Sequence, residues 1–140
     1  MMAQTMQQHA YGSSVMFAGD MQAAEEAVTA ALKESGFGVL TRIDVAATLK
    51  NKLGVERRPY VILGVCNPEK AHLALQAEEE VGLLLPCNVI VYKNAKDETV
   101  ISAIDAHAML GVIQRDDIAS LADEVNRLLQ EALARAQQLA

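Results

Sequence analysis

From Asp117 onward, Ile118, Leu121, Val125, Leu128, Ala132 and Leu139 recur at steps close to three and four. That is the period of a helix with one apolar face. A helix of this length reaches roughly 30 Å and can cover a whole sheet. A second periodic stretch follows Asp20, which suits a helix N-cap; it sets Met21, Ala24, Val28 and Ala31 on one face and ends at Gly36, a natural terminator.

Between these stretches the period changes. Phe37 to Ile43 steps by two, which predicts a strand with Phe37, Val39 and Ile43 on one side. Asp44 then caps a short helix in which Val45, Leu49 and Leu53 share a face, and Gly54 stops it. Tyr60 to Cys66 is apolar and rich in β-formers, as expected of a buried strand. Asn67 followed by Pro68 is a strong helix start, because proline lacks an N–H that the first helical turn would leave unpaired anyway. That helix is expected to run to about Glu80, with Ala71, Leu75 and Glu78 along one stripe. Gly82 to Pro86 returns the chain, Cys87 to Tyr92 is a further strand, and the polar turn Asn94–Glu98 makes a hairpin with Thr99–Ile104. Tyr11 to Phe17 reads as the first strand, although Gly12, Ser13 and Ser14 weaken it; residues 1–8, rich in Met and Gln, are expected to fray.

The resulting order is β-α-β-α-β-α-β-β-α, in about five strands. This mixed order favours an α+β fold over a doubly wound sheet and leaves a parallel βαβ arrangement of the middle strands open. No linker, repeat or low-complexity stretch divides the chain, so its 140 residues read as one domain.

Composition narrows the function classes. Apolar types make up 51 % of residues, enough for a sizeable aliphatic core. A net charge of −6 opposes binding to nucleic-acid backbones or anionic membrane surfaces. The one basic cluster, Lys50, Lys52, Arg57 and Arg58, is interrupted by Glu56 and reads as a solvated helix end or an anion contact. No run approaches the ~20 apolar residues that span a bilayer. The N-terminus has no cation before Lys33 and no signal-like apolar run, so the expected location is the cytoplasm and the two cysteines are expected to be thiols.

The residues that carry chemistry lie at two junctions. Cys66-Asn67-Pro68 leaves one strand, and Pro86-Cys87-Asn88 enters the next. Each pairs a thiol with an amide beside a proline. If the strands are neighbours, both thiols can face one cleft, and Cys66 precedes a helix N-terminus whose partial positive charge favours a thiolate. Four readings stay open. The first is a nucleophilic or redox pair, with Cys66 attacking and Cys87 resolving. The second is a metal site joined by His72, although its place six positions past Cys66 fits no zinc signature and a fourth ligand is not evident. The third is a pocket in which Asn67 and Asn88 donate hydrogen bonds. In the fourth, both cysteines are small core residues and Asn67 merely caps its helix. Asp44 is a further acid–base candidate that a capping role also explains. Glu78, Glu79 and Glu80 read as a solvated face, and His107 has no evident partner. The chain has no Ser/His/Asp set, phosphate loop or HExxH motif, and no cofactor is expected.

Gly36-Phe37-Gly38-Val39-Leu40-Thr41, Ile43-Asp44-Val45, Thr48-Leu49-Lys50 and Lys52-Leu53-Gly54-Val55 occur in that order. They are followed by Tyr60, Ile62-Leu63-Gly64, Cys66-Asn67-Pro68, Ala74-Leu75 and Gly82-Leu83-Leu84-Leu85-Pro86-Cys87-Asn88-Val89. Over roughly Gly36 to Tyr92 this string resembles the domain of unknown function 302 family. The resemblance implies helices on a curved, mainly antiparallel sheet and a tendency to homodimerise, and it brings no established activity. Carried over by position, the family pattern falls on Asp44, Cys66, Asn67, Pro68, Pro86, Cys87 and Asn88. Arg42 and Arg57-Arg58 depart from it, which puts any charge-based pocket in doubt. The expectation is therefore an α+β homodimer that binds a small molecule or protein partner through Cys66, Asn67, Cys87 and Asn88, with Asp44 and His72 further out. A thiol enzyme or a purely structural dimer is the alternative. The long apolar face of the last helix is a further motive for dimerisation.

Overall fold

A computed structural model describes residues 6–140. Six strands form one antiparallel sheet: β1 (Gln7–His9), β2 (Gly12–Phe17), β3 (Gly38–Asp44), β4 (Tyr60–Cys66), β5 (Cys87–Lys93) and β6 (Thr99–Ile104). Their spatial order is β1-β2-β6-β5-β4-β3, with every neighbouring pair antiparallel. The helices are α1 (Met21–Glu34), α2 (Val45–Leu53), α3 (Pro68–Ala77), α4 (Ala106–Leu110) and α5 (Asp116–Gln138). The fold is α+β, as the order of elements predicts, and the parallel alternative is excluded. The connections explain why. After α2 and after α3 the chain folds back over residues 54–59 and 78–86, so each next strand starts beside the end of the last, with Asp44 opposite Val61 and Val65 opposite Cys87.

The sheet is one strand larger than expected. Gln7 and Gln8, expected to fray, pair with β2 together with His9; residues 1–5 lie outside the described residues. In α1, Ala24, Ala27, Val28, Ala31 and Leu32 are buried, and Asp20 Oδ1 accepts from Ala23 N–H at 2.8 Å. The helix ends in a Schellman turn. Gly36, at φ 88°, donates to the Lys33 carbonyl, and Phe37 donates to that of Leu32. In α5, Ile118, Ala122, Val125, Leu129, Ala132, Leu133 and Ala136 are buried. Of the expected stripe, Ile118, Val125 and Ala132 are buried and Leu121 and Leu128 half-buried, while Leu139 lies past the helix and is exposed; packed on α1, β2 and β6, this face no longer argues for a dimer.

Cross-strand partners share a sheet face. Val15, Val61, Leu63, Val65, Val89, Val91 and Ile101 face the helices and are buried. The alternate set, including Tyr60, Ile62, Ile90, Tyr92 and Ile104, forms the opposite face and stays partly exposed. Tyr60 and Tyr92 stack there with ring centroids 5.4 Å apart.

β3 departs from simple alternation. Val39 pairs with Val65 and Thr41 with Gly64, so Leu40 has no partner and forms a bulge. The bulge turns Val39 and Ile43 to opposite faces instead of one, and leaves Leu40 65 % exposed. α2 has no buried residue, and Leu53 at its end is 69 % exposed, so the stripe Val45–Leu49–Leu53 does not enter the core. α3 stops at Ala77, short of Glu80, because Glu78 is extended; a 3₁₀ segment, Glu79–Leu84, follows.

Candidate functional site

The two cysteine junctions meet at one end of the sheet. Val65 pairs with Cys87, so Cys87 turns toward the helices and is buried at 6 % exposure. Cys66 is offset from it by one residue, which by the pleat sends it to the other face. Both nevertheless line a single cavity of about 360 Å³, because β4 ends at Cys66 and the cavity wraps that end between α3, α5 and the bulge of β3. Phe37, Val65, Ala74, Leu75, Leu85, Leu110, Leu121 and Val125 supply apolar wall, while Thr41, Asn67 and Lys70 bring the polar atoms.

Local chemistry fixes each of these positions. Asn67 Oδ1 accepts the Lys70 N–H at 3.3 Å and starts α3, with Pro68 in the first turn. The Asn67 amide nitrogen lies 3.0 Å from where a Cβ on Gly36 would stand, so the glycine that ends α1 also gives Asn67 its place. Gly64 plays the same part on the sheet: a Cβ there would collide with Thr41 Oγ1 and come within 2.9 Å of Pro86 Cγ. The Leu85–Pro86 peptide is cis. Burial first, and then the neighbouring Cys66, push the Cys87 thiol up to about 11, so it is protonated at neutral pH. Both cysteines are free thiols.

The other expected residues lie elsewhere. Asn88 is exposed on the opposite sheet face, in a groove of about 410 Å³ with Ser14, Tyr60, Ile90, Tyr92 and Ser102. It pairs with Gly64, one residue past Cys87, and that single step moves it off the cavity. Asp44 caps α2, its Oδ1 accepting from Ala47 N–H at 2.9 Å. Its carboxylate borders a wider cleft of about 870 Å³ between α1 and α2. Four of the eight charged residues lining that cleft form ion pairs: Arg42 with Glu25 at 2.6 Å and Lys50 with Glu56 at 3.1 Å. The Arg42 departure is therefore neutralised from α1. His72 is exposed on α3 and lines none of these spaces. Among the described residues no group of three His, Cys, Asp or Glu side chains is placed to hold a metal.

Sequence reasoning missed Lys70, Thr41 and Leu40. Lys70 had a legible signal, since it stands three residues after Asn67, one helical turn along the same side. Its ammonium meets Glu124 of α5 at 2.7 Å and holds that carboxyl below its usual range, chiefly by hydrogen bonding. Leu40 and Thr41 reach the cavity only because of the bulge.

The family model for the domain of unknown function DUF302 matches residues 14–136. The chain belongs to this family. The crystal structure of an uncharacterized conserved DUF302 protein from Bacillus stearothermophilus is similar at 30 % identity and a TM-score of 0.84, covering 89 % of this chain and 97 % of that one. No functionally curated protein matches the chain. DUF302 membership accounts for the ordered motifs from Gly36 to Tyr92 and assigns no activity. Among the described residues no helix is long and apolar enough to cross a membrane.

Proposed function

We propose that this DUF302 chain is a binding domain for a small, mainly apolar molecule, held in the cavity at the end of the sheet. The observation that carries the reading is the composition of the wall. Cys66, Asn67 and Cys87 stand among Leu, Val, Phe and Ala side chains, and the volume of about 360 Å³ falls in the lower range of small-molecule sites. Asn67 spends its carbonyl oxygen on the cap, which leaves its amide group to orient a ligand acceptor. Two free thiols fit the cytoplasm as the working compartment. The thiol-enzyme reading is weaker, because a Cys87 thiol raised to about 11 is a poor resolving nucleophile at neutral pH.

The test is a titration with the neutral, environment-sensitive dye N-phenylnaphthylamine, using the wild type and Ala71→Phe, which places a ring in the cavity from a half-exposed position on α3. Saturable blue-shifted fluorescence, lost in Ala71→Phe with an unchanged circular dichroism spectrum, supports the reading. Identical responses in both proteins refute it.

We also infer a homodimer formed through the sheet face opposite the helices. The groove on that face is lined by strand and turn residues, with no Asp, Glu, Lys or Arg among them. A chain of net charge −6 repels its own copy, so self-association is cheapest where no carboxylate meets another.

A further inference from the structure

We infer that the ligand of this cavity is a medium-length aliphatic chain ending in a carboxylate, with its head at Lys70 and its tail along the leucine and valine walls. The inference rests on the binding reading above and adds the ligand's chemical class. Its basis is the charge distribution around the cavity. Lys70 is the one ionisable cation among the lining residues, and no lining residue is an acid. The Lys70 side chain lines the cavity and is only 15 % exposed, so it is confined between the cavity and α5, unlike an ordinary surface lysine.

Its present partner is differently placed. Glu124 reaches Lys70 from α5, yet it is 44 % exposed and does not line the cavity. A half-exposed ion pair is weak, because water solvates the carboxylate nearly as well once it turns away. Lys70 has no comparable freedom. A carboxylate arriving through the cavity can therefore replace Glu124 while Lys70 stays in place and keeps a negative partner. Glu124 then acts as a stand-in for the head group whenever no carboxylate ligand is bound. A neutral ligand would leave the ion pair intact and gain nothing from it, whereas a cationic one would meet Lys70 with like charge. The rest of the wall suits the tail: Leu40, Leu75 and Leu121 line the cavity, and Leu40 and Leu75 remain exposed in the free chain.

The experiment compares decanoate with its neutral counterpart decanol by calorimetric titration against the wild type, Lys70→Met and Glu124→Gln. The expected result is decanoate binding about tenfold tighter than decanol in the wild type, the scale of one charge-assisted hydrogen bond. Lys70→Met keeps the apolar stem and should abolish that preference, so that decanoate binds no tighter than decanol. Glu124→Gln removes the competitor and should tighten decanoate binding alone. Equal affinities for the two ligands in every variant would overturn the head-group assignment and leave the binding reading standing. Weaker decanoate binding in Glu124→Gln would also overturn it, since Glu124 would then be a support and not a rival. Failure of both ligands to bind the wild type would remove the binding reading as well.

Discussion

Val65 faces Cys87 directly across β4 and β5, so the two junction cysteines sit one residue out of register with each other. The pleat then sends Cys66 and Cys87 to opposite faces even though their backbones are neighbours. A disulfide needs Cβ atoms about 3.8 Å apart with converging bonds, and strand neighbours offset by one residue have diverging ones. Mild oxidation should leave both thiols titratable in the folded monomer. Mass spectrometry after differential alkylation checks this, and recovery of a Cys66–Cys87 peptide would contradict the register argument.

Gly64 is the tightest point of the site. Thr41 and Pro86 occupy the space that a side chain there would need. Gly64→Ala should therefore cost about 1–3 kcal/mol, the usual range for overpacking a closed position. Adding Thr41→Ala removes one of the two obstacles and should recover part of the loss. Urea denaturation of the single and double variants measures both. An unchanged midpoint in Gly64→Ala would mean that the strands separate freely at this corner.

Several of these features were legible along the chain because they are local. Asp20, Asp44 and Asn67 each cap a helix with an oxygen that accepts from the N–H three residues on, an interaction confined to one turn. Gly36 ends α1 for an equally local reason, its positive φ. The features that escaped depend on distant partners. The Leu40 bulge exists only relative to β4, and it decides which way Val39, Thr41 and Ile43 turn. Asn88 looked equivalent to Asn67 because each follows a cysteine. One lies at a strand end and enters a cap, while the other lies inside a strand and takes the opposite face. The apolar face of α5 was read correctly as apolar, but its partner, the chain's own core, is a tertiary fact.

Asn67 separates capping from ligand contact. Asn67→Ala should lose about 1 kcal/mol of stability as the α3 cap disappears. Asn67→Asp keeps an acceptor oxygen for the Lys70 N–H and should keep most of that stability, yet it replaces the amide donor with a charge. If the amide orients a ligand acceptor, affinity for methyl decanoate, whose ester carbonyl only accepts, falls in both variants. If Asn67 is only a cap, affinity follows stability and survives in Asn67→Asp. Thermal melts run beside the titrations distinguish the two.

The groove face offers a test of assembly that does not touch the cavity. Ile90 lies on that face, partly exposed, between Tyr92 and Asn88 along β5. Ile90→Lys places one charge from each copy at the proposed contact, where like charges repel. Sedimentation should show the wild type at twice the 15.1 kDa chain mass and the variant at the chain mass. A wild type that sediments as a single chain at micromolar concentration would rule out the dimer.

Cys87 also makes stability depend on pH in a calculable direction. Its folded thiol holds its proton up to about 11, against an ordinary value of 9.0, chiefly because burial disfavours the thiolate. Between those values the native state binds the proton that the unfolded chain has released, so unfolding becomes easier as pH rises. The contribution is complete below pH 9 and is lost progressively toward pH 11, at a slope of about 1.4 kcal/mol per pH unit for one group. The informative quantity is the difference from Cys87→Ala, which fills the site with a small apolar group and has no proton to release. The wild type should be the more stable protein at pH 8, with its advantage shrinking as pH climbs past 9. Parallel stability curves for the two proteins across that window would show that the Cys87 sulfur is reached by water, and that this end of the cavity is open instead of dry.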